Sequence, residues 1–177
     1  MTYQYILDLI DSGLIRKGKA LDLGCGPGQA SVLLSSLEFD VEAVDMNNQP
    51  VSTSLGNISF SKIDIRDFDI KKNKYAFINA RNVLHFLRKD EMKMMVARMF
   101  KGLKKGGVMY FNVSGDKDGW VEKSKDVVTF LNEKDLVHYI ERELKMPVYS
   151  KVTKLGFGNT TKGIMKYTHT ISYTVVK

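Results

Sequence analysis

The chain has 177 residues, 44% of them hydrophobic and 27% charged, with a net charge of +7. That length suits one domain over residues 1–177 with a real core, and it is too short for two comfortable domains. Nine Phe and eight Tyr against three Pro exclude a disordered or low-complexity chain.

Apolar runs and helical patterns alternate, which predicts an α/β domain with a mostly parallel sheet. Residues 3–11 read as a short amphipathic helix, and Lys19-Ala20-Leu21-Asp22-Leu23 as a buried strand. Pro27 stands where a first helical residue belongs, and Ala30, Leu33, Leu34 and Leu37 supply the apolar face of a helix. A second strand, Val41 to Val44, ends at Asp45; Ile58 to Ile63 and Tyr75 to Asn79 are the third and fourth. Met92, Met95, Val96, Met99, Phe100 and Leu103 line one face of the next helix. Spacing of that kind marks core packing against a sheet. Lys101, Lys104 and Lys105 suit its C-terminus, Gly106-Gly107 stop it, and Val108 to Val113 form a fifth strand.

The pattern changes beyond residue 114. Ser114 to Lys125 is a polar loop around the only tryptophan, Trp120. Asn132 reads as the N-cap of a helix running to about Lys145, with Asp135 at the capping-box position and Leu131 and Leu136 as a hydrophobic staple. Two longer strands follow, near 148–157 and 164–176, joined by residues 158–163. The fold class is therefore a Rossmann-like, doubly wound, seven-stranded sheet, mostly parallel, with one antiparallel edge strand contributed by a C-terminal hairpin.

Compartment and partners are read from what the chain carries. A single cysteine, Cys25, excludes an intramolecular disulfide and fits a reducing compartment. The start, MTYQYILDLIDSGLI, has two Asp and no basic region, unlike a signal peptide, and no apolar run approaches the roughly 18 to 20 residues of a membrane span. The expectation is a soluble, cytoplasmic protein with no membrane partner, a monomer or homodimer. Charge is uneven: residues 1–60 hold 3 basic and 7 acidic side chains, residues 61–177 hold 24 and 13. A basic second half could meet nucleic acid, but without a block of five like charges a solvated lysine-rich surface is the preferred reading.

The sharpest feature is Asp22-Leu23-Gly24-Cys25-Gly26-Pro27-Gly28 at a strand-to-helix turn. Glycines allow a tight turn and close approach to a ligand, and the helix N-terminus behind them favours electron-rich groups. Asp45 lies 17 residues past Gly28, at the end of the next strand, where a carboxylate can accept hydrogen bonds from a ribose diol. A dinucleotide site would carry G-x-G-x-x-G, but Gln29 stands where the third glycine would fall. Asp22 is a poor neighbour for a pyrophosphate and a good one for an ammonium or sulfonium. These features favour S-adenosyl-L-methionine (SAM) over NAD.

These residues, with Val44-Asp45-Met46, resemble the first two motifs of class I SAM-dependent methyltransferases. The resemblance continues through Lys62-Ile63-Asp64-Ile65, Asn82-Val83-Leu84-His85-Phe86-Leu87 and Leu103-Lys104-Lys105-Gly106-Gly107. Leu9-Ile10-Asp11-Ser12-Gly13-Leu14-Ile15 is similar, more narrowly, to the tellurite-resistance type of small-molecule methyltransferase. The resemblance implies that Gly24, Cys25, Gly26 and Gly28 run beside the methionine part of SAM while Asp22 helps orient its amino group. It further implies that Asp45 holds the ribose hydroxyls, Met46 packs on the adenine, Asp64 accepts from the adenine amino group, and Ile65 gives a backbone contact. Ala80 and Arg81 would border the sulfonium and the methyl acceptor. Cys25 reads as a small packing residue rather than a nucleophile.

Methyl transfer from a sulfonium leaves a weak acceptor-side signature, because a general base is needed only for a protonated acceptor. The catalytic candidates are Arg81, His85 and His169. His85 stands either at the pocket mouth or as a partly exposed helix histidine. His169 shares a strand face with Tyr167, Ile171 and Tyr173, which favours a core histidine, although related enzymes carry polar acceptor-side residues in this strand. Tyr3 and Tyr5 either cover SAM or pack. Similar enzymes begin with an aromatic-rich lid that is lacking ahead of the first helix here, so closure would fall to the loop around Trp120 or to a second subunit. Residues 79–82, Asn-Ala-Arg-Asn, lack the Asn/Asp-Pro-Pro-aromatic motif of methyltransferases acting on adenine or glutamine nitrogen. The leading expectation is methyl transfer to a small molecule, an oxyanion or soft chalcogen nucleophile. RNA methylation and a non-catalytic SAM-binding role are the alternatives.

Overall fold

The structure is a computed structural model that describes residues 3–47, 56–124, 126–159 and 165–177. Its centre is a seven-stranded sheet in the order β3-β2-β1-β4-β5-β7-β6, formed by Lys19–Leu23 (β1), Asp40–Asp45 (β2), Ile58–Lys62 (β3), Tyr75–Ala80 (β4), Leu103–Ser114 (β5), Val148–Asn159 (β6) and Met165–Val176 (β7). Strands β1 to β5 run parallel and the C-terminal hairpin is present, but its antiparallel member β7 lies inside the sheet, between β5 and β6, rather than at the edge, because it pairs with both. The predicted joint between β6 and β7 falls partly at residues 160–164, outside the described residues.

Helices cover both faces. Gln4–Asp11 (α1) and Gln29–Ser36 (α2) place Ile6, Leu9, Ala30 and Leu34 on one face of the sheet with Val41 and Phe77. Lys89–Gly102 (α3) buries the predicted Met92, Met95, Val96 and Met99 on the other, beside Leu136 and Ile140. All six residues of the central strand β4 are buried, because it is covered on both sides. Among the described residues no helix is long and apolar enough to cross a membrane.

Several local expectations are corrected. Pro27 is not a first helical residue: Gly28, at φ +78°, is the N-cap and the helix begins at Gln29. Gly106-Gly107 do not stop α3, which ends at Gly102, where a Cβ would meet the Ile70 side chain at 2.6 Å. Leu103, Lys104 and Lys105 consequently open β5, and the two glycines lie in a bulge where β5 advances from Leu103 to Val108 while β4 advances only from Tyr75 to Phe77. The helix expected from Asn132 to Lys145 splits into Glu133–Val137 (α5) and a π-helical stretch, His138–Glu143. Asn132 caps it, accepting from the Lys134 N–H at 2.9 Å, but Asp135 makes no capping box and instead pairs with Lys89 on α3 at 3.0 Å. The loop around Trp120 contains a short helix, Val121–Ser124 (α4), and Lys125 lies outside the described residues.

The bulge separates two costs that glycine avoids. A Cβ on Gly107 would stand 2.8 Å from the Tyr75 carbonyl oxygen and 2.9 Å from that of Lys104. Gly106 has φ +74° and open space around it. Gly106→Ala should cost about 1 kcal/mol of stability and Gly107→Ala about 2 to 3 kcal/mol, measured by urea unfolding. Equal losses would show that contact with the backbone of β4 and β5 does not set the glycine requirement.

Candidate functional site

The turn from β1 to α2 stands at the C-terminal edge of the parallel strands, where open α/β sheets bind ligands. It is anchored by the Val44 carbonyl, which accepts from the N–H groups of Gly24 at 2.8 Å and Cys25 at 3.0 Å. Gly24 and Gly26 hold φ of +65° and +53°. Gly24 has a second reason to be glycine, since a Cβ there would lie 2.3 Å from Val83 Cγ2. Beside this turn is a groove of about 310 Å³ whose walls include Gly26, Asp45, Asp64, Ile65 and Val83.

Asp45 is buried at the end of β2. Its carboxylate accepts from the Gly26 N–H and the Asn47 N–H, both at 2.9 Å, so the glycine turn and the β2 end share one anchor. Met46 follows on the groove wall and is 62% exposed, an apolar surface without cover. Asp64 reaches the groove from the turn after β3 and is gripped by Arg66, with Nε to Oδ1 at 3.0 Å and Nη2 to Oδ2 at 2.6 Å. That guanidinium holds the Asp64 carboxyl below the ordinary carboxylate range. Ile65 beside it is buried.

Asp22 is the least accessible acid of the site, 1% exposed. It accepts from Ser31 Oγ at 2.6 Å and from Asn79 Nδ2 at 2.8 Å, and Asn79 Oδ1 in turn accepts from the Tyr5 hydroxyl at 2.7 Å. The Tyr5 ring stacks on Tyr110 at 3.9 Å between centroids. Burial pushes the Asp22 carboxyl above its ordinary value, against the lowering effect of its two donors. Burial first, then the charges of Asp22 and Asp45, pushes the Cys25 thiol up to about 12, so it stays protonated and suits packing rather than nucleophilic attack.

Ala80 is fully buried at the end of β4, and the Arg81 guanidinium lies 5.1 Å from the Tyr3 ring centroid, facing α1. The two histidines lie apart from the groove walls. His85 sits half-buried in the 3-10 turn Leu84–Phe86, with Phe86 rather than His85 lining the groove. His169 is buried, as a core histidine would be, and lines a different cavity. The sequence reading named Asn82, at φ +57°, only as part of a motif, and it did not single out Asn112 on β5, behind the groove wall. The Asn82 N–H donates to Asn112 Oδ1 at 2.7 Å, and Asn112 Nδ2 donates to Asn82 Oδ1 at 2.6 Å. A pairing of two carboxamides thirty residues apart carries no periodic signal; the polar Asn112 inside an apolar strand was the one hint to its half.

Residues 5–146 match the family model for tellurite resistance protein TehB. The chain belongs to the TehB family. It is 33% identical over 108 residues to TehB of Haemophilus influenzae, described as a SAM-dependent methyltransferase; the match covers 56% of this chain and 37% of that one. The matched segment thus spans well under half the length of this relative. The crystal structure of Haemophilus influenzae TehB superposes with a TM-score of 0.74 at 23% identity, over 96% of this chain and 61% of that one. A 1,6-didemethyltoxoflavin-N1-methyltransferase from Burkholderia thailandensis, solved with 1,6-didemethyltoxoflavin and S-adenosylhomocysteine, gives 0.68 at 18% identity, over 96% and 74% of the two chains.

A carboxyl whose pKa is raised by folding contributes stability below its unfolded value, which is lost as pH rises through the folded value. Asn in place of Asp22 can still accept from Asn79 and donate to the Ser31 hydroxyl. Asp22→Asn should therefore raise the melting temperature of the ligand-free protein by a few degrees near pH 8 and by almost nothing near pH 4, read by calorimetry. A gain independent of pH would refute the unfavourable buried charge.

Proposed function

We propose that this chain, as one domain over residues 1–177, transfers the methyl group of SAM to a small-molecule acceptor. The observation that carries the reading is the glycine turn fastened by its Gly26 N–H to the buried carboxylate of Asp45, at the C-terminal edge of a parallel sheet, in a chain of the TehB family. The residues present fit the cofactor. Gly24 and Gly26 bring bare backbone to the groove wall. Asp45 has lone pairs left for a ribose diol, Met46 offers an uncovered apolar surface for the adenine, and Asp64 and Ile65 offer the acceptor and backbone contact an adenine edge requires.

When bound, SAM supplies a methyl group already activated on positive sulfur. The chain's own work is alignment and exclusion of water. Asp22, closed off by Ser31 and Asn79, acts on the amino group as a field across the turn rather than as a direct partner. Ala80 and Arg81 border the acceptor side. The fixed positive charge of Arg81 favours an anionic or soft nucleophile over an ammonium, which supports an oxyanion or chalcogen acceptor. Such an acceptor arrives deprotonated and needs no general base. His85, one turn further along, is the remaining acceptor-side candidate; His169, behind a separate cavity, has no part in transfer. The Burkholderia enzyme, solved with a small molecule beside S-adenosylhomocysteine, supports a small-molecule acceptor, although its own acceptor atom is a nitrogen. The single cysteine supports work in the reducing cytoplasm.

Calorimetric titration should show S-adenosylhomocysteine binding and NAD not binding. Asp45→Ala should weaken the former by about 100-fold, the loss of charge-assisted hydrogen bonds to a diol. Label from methyl-labelled SAM should move into a pool of cellular small molecules. Tight NAD binding would overturn the cofactor assignment, and label recovered only in RNA would overturn the acceptor class.

A further inference from the structure

A second cavity, of about 500 Å³, opens between α5, the π-helical stretch, β6 and the loop after β5. It shares none of its lining residues with the groove. Between the two runs the segment 129–131. Thr129 donates from its N–H to the His85 carbonyl at 2.7 Å and from Oγ1 to the Leu87 carbonyl at 2.6 Å, and the Leu131 N–H donates to the Ser114 carbonyl at 3.0 Å.

The walls of this cavity are basic. Lys117, Lys134, Arg142 and Lys151 face it, against two carboxylates, Asp116 and Glu133. Both acids are engaged already. Glu133 accepts from Lys151 at 2.8 Å and from Thr153 Oγ1 at 3.0 Å, and Asp116 accepts from Asn132 Nδ2 at 2.7 Å. Lys117, Lys134 and Arg142 have no side-chain partner among the described residues. The floor is His169, 2% exposed. Its Nδ1 accepts from the Lys117 N–H at 3.0 Å, which leaves Nε2–H as the donor of the ring, without a partner among the described residues. The close fit is fixed by Gly115, where a Cβ would fall 2.1 Å from Nδ1. A buried ring donor, a planar guanidinium and two uncommitted ammonium groups around a concave space match a compact multiply charged anion.

We propose that this cavity is a binding site for a small phosphate-bearing molecule, distinct from the groove and from the place where a methyl acceptor must lie. Neither the glycine turn nor Ala80 and Arg81 line it. An anion held there would act on the segment 129–131, which is tied to the loop at Ser114 on one side and to His85 and Leu87 on the other.

The test is a titration of the purified chain with inorganic pyrophosphate, followed by ¹H–¹⁵N spectra, and repeated with orthophosphate and with citrate. Pyrophosphate should give saturable shifts at residues 115–118, 132–142 and 169 and none at Gly24, Asp45 or Asp64. The double variant Lys134→Ala/Arg142→Ala changes two exposed side chains; it should keep the melting temperature and lose at least 10-fold in affinity. Citrate binding as tightly as pyrophosphate would overturn the phosphate preference. Shifts spread over all surface lysines, an unchanged affinity in the double variant, or displacement of pyrophosphate by S-adenosylhomocysteine would each overturn the site. Because the titration needs no SAM, failure here and failure of the methyltransferase reading are read separately.

Discussion

A carboxylate buried at the end of β1 organises the centre of this molecule. Asp22 ties together four elements that strand pairing and the core already bring side by side: β1 through its own backbone, α2 through Ser31, β4 through Asn79, and α1 through the Tyr5 hydroxyl beyond Asn79. Burying an ionised group costs several kcal/mol unless donors surround it, so each of these donors is held in place by the penalty its loss would incur. Tyr5 stacked on Tyr110 fixes the far end of the chain of bonds. The glycine turn starts one residue after β1 ends, so its position is set by the same anchor. The position of the turn sets where Gly26 meets Asp45.

Charge is divided between two compartments. Two acids, Asp45 and Asp64, line the groove, the second paired with Arg66, and Asp22 lies buried behind the turn. Across the segment 129–131 the sign reverses. The excess of basic residues in the second part of the chain is thus gathered in part into a concave space, rather than lying only as a solvated surface. Separating the two fields by a hydrogen-bonded partition keeps the cations of one side from neutralising the acids of the other.

What the sequence made legible follows from how local each signal is. The parallel strands were readable from apolar runs, the core face of α3 from its methionine spacing, and the glycine turn from residues whose conformations few other types adopt. Gly106 and Gly107 misled because a glycine pair reads equally as a helix end or a bulge, and only the Tyr75 carbonyl on a neighbouring strand decides between them. The π-helical stretch after α5 carries no composition signal. The roles of Asn79, Asn82 and Asn112 are set by pairings between β4, β5 and α1, and those pairings exist only once the sheet has formed. His169 was legible as buried, since its strand face alternates with Ile171 and Tyr173; the cavity it floors depends on four separate segments meeting.

The order of the strands has a consequence for how the chain reaches this state. β6 pairs only with β7, and β7 lies inside the sheet between β5 and β6. During synthesis β6 therefore emerges before the strand that must separate it from β5. Until β7 arrives, both β5 and β6 present unpaired edges with exposed apolar residues such as Leu155 and Phe157. Closure of the sheet is a late, long-range insertion into a gap, the kind of step that slows folding and invites pairing with another chain. The lysines at 151 and 154 on β6 place charge along the edge exposed during that wait.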